Sequence, residues 1–239
     1  MENCLYENSC TISQLHLPSS NRKKQNYFQH LSPAEKKLIE DNQVEVFFKK
    51  GENLAKQGSF SSYMLFLTKG LVKTFVENQH EKLILKIIPE NNFIGLPILF
   101  EENNVFPYSV TAYIDSTAKL IDINIFKKII KENNKFSYEI IKLLSLNTVL
   151  LYGRFFCFEK KQSYGRLADI LLCISNNIYK NLEFELTLSR KELGELAGMS
   201  YESVIRILKK FKEDNLIEEQ NNHIKIIDKE KLAQISQLG

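Results

Sequence analysis

Apolar positions change their period part-way along the chain. Between about residues 44 and 125 they fall in short β-branched and aromatic runs, VEVFFKKGE, YMLFLTKGLVKTFVEN, KLILKIIPENNFIG and YSVTAYIDSTAKLIDI, each cut by turn residues. This rhythm predicts the strands of a compact barrel or sandwich. Gly51, Gly58, Gly70 and Gly95 are placed at its turns, and Asn91 and Asn92 in a similar role after Pro89. From about Asn124 the spacing becomes helical. Residues 135–160, KFSYEIIKLLSLNTVLLYGRFFCFEK, read as one long helix with two neighbouring series. Ile141, Leu144, Thr148, Leu151, Phe155 and Phe158 form the first, at heptad-like spacing. Phe136, Ile140, Leu143, Asn147, Leu150, Arg154 and Cys157 form the second. So wide an apolar front needs cover on two sides, and few residues remain to supply it. One face is therefore expected against the barrel and the other against a second copy of the helix. A single helix buried within one domain is the alternative.

Local start and stop signals place the other elements. SPAE, with Ser32, Pro33 and Glu35, is a capping-box start for a short helix reaching about Asn42. Residues 1–25 read as an irregular arm. After the long helix come the amphipathic SYGRLADILLCISNNIY, then LSRKELGELAG, with Ser189 as N-cap and Glu192 three residues on. SYESVIRILKKFKEDN follows with Ser200 as N-cap; LIEE, a QNN turn and HIKII then suggest a two-stranded wing, and a last helix covers about 228–237.

The stretch KELGELAGMSYESVIRILKK, residues 191–210, interrupts a helical pattern with Gly198. Glycine costs about 1 kcal/mol relative to alanine inside a helix, so the break needs a reason. Two helices joined by a tight glycine-containing turn, the second amphipathic and basic, form the helix-turn-helix pattern. Leu193, Ala197, Met199, Val204 and Ile207 fall where the two helices would bury apolar side chains, and Gly194 where they approach closely. On the second helix Ser200, Tyr201, Glu202, Ser203 and Arg206 are offered to base edges. Glu202 can accept from cytosine N4, and Arg206 can fork onto guanine O6 and N7. Four residues apart, the two could equally form a surface ion pair. Lys209, Lys210 and Lys212 continue with phosphate-binding chemistry. A helical hairpin used only for packing is the bland alternative, and the wing beyond it argues against that.

Composition adds limits. The 239 residues suffice for one large or two modest domains, and 44% hydrophobic with 26% charged residues is ordinary for a soluble protein. No contiguous apolar run approaches the ~18 residues that would span a bilayer, and MENCLYENSC lacks the layout of a secretory signal, so a cytoplasmic protein without a membrane partner is expected. The net charge of +3 does not by itself argue for nucleic acid. Cys4, Cys10, Cys157 and Cys173 have no disulfide-framework spacing; the last two read as helix packing residues. His30, His80 and His223 are isolated, which leaves no clustered metal set for a cupin-like enzyme on the barrel. No enzyme is expected.

NNFIGLPILFEE, the long helix, YGRLADILL and LSRKELGELAGMSYESVIRILKKFKEDNLIE together resemble the Crp/Fnr family of bacterial transcription regulators, over residues from about 9 to 230. The resemblance implies an α+β chain. Its parts are an arm at 1–25, a cyclic-nucleotide-binding-like β-roll sensor domain at 26–130, a dimerisation helix at 131–160 and a winged helix-turn-helix at 161–239. It further implies a homodimer on an inverted-repeat DNA site and contact with RNA polymerase. Glu202 and Arg206 match DNA-reading positions of the family, whereas Tyr201 and Ile205 stand where relatives place other residues. The cyclic-AMP-binding branch holds ribose and phosphate with a Gly-Glu pair and then an Arg-Ser pair. Here Gly95 is followed by Leu96, and Phe106 and Pro107 occupy the second pair, so cyclic AMP is not expected as effector. SCTISQLHLP, residues 9–18, is similar to the Fnr branch, which carries a cysteine-ligated iron–sulfur cluster. Only Cys10 falls on a ligand position; Glu7, His16 and, in the barrel, Lys119 stand near the others, so no [4Fe–4S] cluster is expected. Cys4, Cys10 and His16 keep open a redox- or metal-sensing regulator.

Overall fold

The computed structural model describes residues 26–79, 81–99 and 104–238. Cys4, Cys10, His16 and His80 lie outside the described residues. By contacts the chain divides into two compact units, and the division falls between Leu146 and Asn147, inside one helix.

The unit up to Leu146 is a β-roll flanked by short helices. A 3-10 turn, Tyr27–His30, leads to α1 (Pro33–Asp41), whose capping box is complete: Ser32 Oγ accepts from the Glu35 amide and Glu35 accepts from the Ser32 amide at 2.7 Å. Eight strands follow: β1 (Gln43–Phe48), β2 (Asn53–Ala55), β3 (Tyr63–Lys69), β4 (Leu71–Glu77), β5 (Lys82–Pro89), β6 (Asn92–Ile94), β7 (Ser109–Ala112) and β8 (Ser116–Asp122). They pair antiparallel in two four-stranded sheets, ordered β1-β8-β3-β6 and β2-β7-β4-β5. The four glycines foreseen at turns all take positive φ, as does Asn91. Asn92, expected in the turn, instead opens β6, and its side-chain amide donates to the Pro89 and Glu90 carbonyls.

Aromatic rings tie this unit together. Phe93 of β6 lies 4.9 Å from Phe66 of β3, 5.4 and 5.6 Å from Tyr27 and Phe28 of the 3-10 turn, and 5.3 Å from Phe126, centroid to centroid. Phe126 sits on α2 (Ile123–Glu132), capped by Asp122, and meets Phe136 at 5.5 Å. Phe136 and Ile140 of α3 (Asn134–Lys160) are buried in the same core. The second apolar series thus covers the roll at its N-terminal end.

Residues 147–238 form the other unit. It holds the end of α3, α4 (Ser163–Ile174) with a π-helical turn at Ser175–Tyr179, β9 (Glu183–Glu185), α5 (Arg190–Ala197), α6 (Tyr201–Glu213), β10 (Ile217–Gln220), β11 (His223–Ile226) and α7 (Lys229–Leu238). The wing has three strands, ordered β10-β11-β9, rather than the expected two. EFE alternates apolar and polar, but three residues are too few for a period to register.

Along α3 the first series is open to solvent at Ile141, Thr148, Leu151 and Phe155 and half-buried at Leu144. Phe158 departs from it. Its ring is half-buried against Gly198, where a Cβ would come within 2.7 Å of Cε1. The 27-residue α3 is also long and apolar enough to cross a bilayer by length and composition, with a mean hydropathy of 1.4 in its best window. The expectation of no such segment missed this because polar residues break the contiguous run without lowering its average much. Protein, not lipid, covers one face: Phe136 and Ile140 are buried in the roll and Cys157 in the other unit.

Replacing Phe93 by alanine removes the ring that four others touch. A loss of about 3–5 kcal/mol in stability is expected from such a cavity, and Phe93→Leu should cost less. Urea denaturation of both variants measures the difference.

Candidate nucleic-acid interface

The interface is built from α5, the turn at Gly198 and α6. Ser189 caps α5 with both capping-box bonds, and Ser200 caps α6 by accepting from the Ser203 amide at 3.3 Å. Between the caps Gly198 adopts φ +59, ψ 50, and its amide donates to the Gly194 carbonyl. At that left-handed position a Cβ would be strained, which is the reason for the glycine inside the pattern. Gly194 is small for a different reason. A Cβ there would lie 2.7 Å from the Met199 carbonyl oxygen. Leu193, Ala197, Val204 and Ile207 are buried as expected, whereas Met199 is half-buried and Leu196 joins the core instead.

Two arginines hold the turn from behind. Arg166 of α4 donates from Nε to the Ala197 carbonyl at 2.9 Å and from its terminal nitrogen to the Gly198 carbonyl at 3.2 Å. Arg154 of α3 donates to the Leu196 carbonyl at 2.8 Å. These are carbonyls that α5 leaves unsatisfied at its C-terminus, where a cation is also favoured by the helix dipole. Burial pulls the Arg154 guanidinium down to about 10, so it remains charged at neutral pH. Beneath them lies a buried polar group. Asp169 accepts from Ser236 at 3.0 Å and stands 3.7 Å from both Lys161 Nζ and Cys157 Sγ. Sequence reasoning gave Arg166 no role and set Arg154 in an apolar series. A charged residue within such a series is itself the signal that could have found it.

On α6 the faces separate cleanly. Val204, Ile207, Leu208 and Phe211 are buried, and Tyr201, Glu202, Ile205, Arg206 and Lys209 are exposed. Glu202 and Arg206 form no ion pair. The Glu202 amide, then the Ser200 hydroxyl, hold the Glu202 carboxyl below its ordinary value, and Arg206 has no ion-pair partner among the described residues. Ser203 is half-buried at the cap, 3.2 Å from Ser200 Oγ. Lys209 makes only an exposed contact to Glu213 at 3.8 Å, of the kind worth little. Lys210 is less free than expected, its ammonium 5.3 Å above the Tyr164 ring. Lys212 pairs with Glu219 of the wing at 2.9 Å, and Arg190 bonds the same carboxylate.

Two family models match the chain: a cyclic nucleotide-binding domain over residues 45–133 and a Crp-like helix-turn-helix domain over 165–235. The transcriptional activator protein Anr of Pseudomonas aeruginosa is 22% identical over 193 residues, covering 79% of this chain and 78% of that protein. The cAMP-activated global transcriptional regulator CRP of Salmonella typhimurium is 25% identical over 172 residues, 69% of this chain and 80% of that one. The chain belongs to the Crp/Fnr family. Solved structures share the fold: FixK2 of Bradyrhizobium japonicum superposes with a TM-score of 0.73 at 15% identity, covering 81% of this chain and 96% of that chain. A CRP/FNR-family transcriptional regulator of Thermus thermophilus gives 0.66 at 18% identity, covering 81% and 98%.

In this Crp/Fnr regulator the residues expected at the effector position lie around Gly95. Gly95 takes φ +88, and a Cβ on it would come within 2.7 Å of Phe106 Cε1. Phe106 and Leu96 are buried, while Pro107 is exposed. The Gly95 amide donates to the Tyr108 hydroxyl at 3.2 Å, and burial raises that phenol to about 12. An aromatic ring and a phenol therefore occupy the neighbourhood of Gly95.

Gly194→Ala tests the close approach of α5 and the turn. A methyl against a backbone oxygen cannot rotate away, so a loss of about 1–3 kcal/mol is expected in urea denaturation.

Proposed function

We propose that this Crp/Fnr regulator is a homodimer that reads an inverted-repeat DNA site through α6 and does so without cyclic AMP or a [4Fe–4S] cluster. The observation that carries the reading is the exposed face of α6. Glu202 and Arg206 stand unpaired with each other on a helix whose entry angle is fixed by Gly198, Arg154 and Arg166. Arg206 can fork onto guanine O6 and N7, Glu202 can accept from cytosine N4, and Lys209 can neutralise a phosphate. Two such heads, about 34 Å apart, would enter successive major grooves.

The open stripe of α3 supports the dimer. Ile141, Leu151 and Phe155 are each more than half exposed, and a contiguous apolar stripe of this length calls for a partner surface. Independence from cyclic AMP is supported by Phe106, which stands against Gly95 where a phosphate would need a cation. The residues present do not fit that ligand. A single cysteine on a cluster-ligand position supports a regulator without the cluster. RNA polymerase remains the partner that the family implies.

Selection of random duplexes by the purified protein, with no added effector, should enrich an inverted repeat; no enrichment by a folded dimer would overturn effector-free reading. Arg206→Ala should cost about 1–3 kcal/mol and relax one position, whereas Lys209→Ala should weaken all sequences about equally and lower the salt slope. Leu151→Glu places a charge in the stripe; sedimentation velocity should then show monomer with unchanged helicity.

A further inference from the structure

Ile205 has no account in the fold. It is 44% exposed in the middle of α6, and Tyr201, one turn before it, is 49% exposed. Every other aliphatic side chain of α6, Val204, Ile207 and Leu208, is buried. A β-branched residue gains nothing from such a position, because isoleucine is a weaker helix former than alanine, lysine or glutamate. One exposed apolar residue would be ordinary. Here two lie four apart, on one edge of the helix, beside Glu202 and Arg206 and leading to Lys209. The surface they form is apolar within a charged surround of Glu202, Arg206 and Lys209.

Resting on the reading of α6 as the groove helix, we propose that Ile205, flanked by Tyr201, reads the C5-methyl group of thymine in the half-site. The chemistry selects the occupant. In the major groove thymine alone among the four bases presents a methyl group; the other edges there present donors and acceptors that an isoleucine cannot satisfy. An apolar edge alongside Arg206 thus distinguishes T·A from C·G at a pair neighbouring the one that Arg206 reads. Exposure in the free protein is what this role needs, since the side chain is buried only when DNA is bound.

The test replaces each thymine of the selected half-site in turn by deoxyuridine, which removes one methyl and keeps the base pairing. Affinity is read by fluorescence anisotropy at fixed salt, with the full-length protein and with Ile205→Ala. At one or two positions beside the Arg206-dependent guanine, deoxyuridine should weaken the wild-type complex about four-fold, the value of one buried methyl. With Ile205→Ala the same substitution should have no effect at those positions. Ile205 is exposed, so the variant keeps its fold, and Tyr201→Ala should reduce the deoxyuridine effect without abolishing it. Uniform wild-type binding to every deoxyuridine duplex, or an undiminished effect in Ile205→Ala, would overturn methyl reading while leaving Arg206-dependent recognition standing. Failure of the folded dimer to prefer any duplex would overturn effector-free reading by α6, and methyl reading with it.

Discussion

Three carbonyls at the end of α5 must find donors at a point where the chain cannot continue as helix, and that requirement organises the C-terminal unit. Gly198 turns left-handed, and the Leu196, Ala197 and Gly198 oxygens are met by Arg154 and Arg166. Hydrogen bonds from a charged donor contribute about 1.5–3 kcal/mol each, which offsets part of the cost of burying the Arg154 guanidinium. The geometry matters more than the energy. The two donors come from α3 and α4, and Phe158 of α3 lies against Gly198 itself, so the turn that aims α6 is referenced to the last turns of α3. Lysine could not replace Arg166, which bonds the Lys161, Ala197 and Gly198 carbonyls with one planar group.

The β-roll answers a different constraint. Its core is filled by rings: Phe66, Phe93 and Phe126 pack with Tyr27, Phe28 and Phe136, and Phe106 closes on Gly95. The rings of the roll belong to one buried cluster that reaches from the 3-10 turn to the first turns of α3.

Legibility in the sequence followed the range of the interaction. The caps at Ser32 and Ser189 were readable because each is settled within four residues, by a hydroxyl and a glutamate at fixed spacing. Gly198 was readable because a glycine between two helical runs marks a left-handed turn that a residue with a Cβ makes only under strain. The strand rhythm and the change to helical period gave the order of the domains. By contrast, Phe158 sits at the right heptad spacing for the open stripe, yet turns inward because Gly198, forty residues later, leaves it a space. Lys210 stays exposed, but α4 brings the Tyr164 ring beneath it, a neighbour that its spacing along α6 did not announce. Periodicity says which side chains share a face; it does not say what arrives at that face from elsewhere in the chain. β9, three residues long, was below the length at which a period exists, and Arg154 was hidden by its apolar neighbours.

The exposed face of α6 combines interactions of different reach, and their division of labour follows from physics. Lysine–phosphate contacts supply affinity that falls with salt and is blind to sequence. In the proposed reading Arg206 and Glu202 would discriminate through hydrogen bonds, which depend on direction and fail when a donor meets a donor. An isoleucine has no direction to fail, and alone it would contribute only about 0.8 kcal/mol for one methyl. Two-fold symmetry changes that weight. In the proposed dimer every base preference is applied at both half-sites, so two four-fold effects multiply to roughly sixteen-fold for well-separated, additive positions. A small apolar contact repeated by symmetry thus discriminates nearly as well as one good hydrogen bond, and because it is uncharged it does so at any salt concentration.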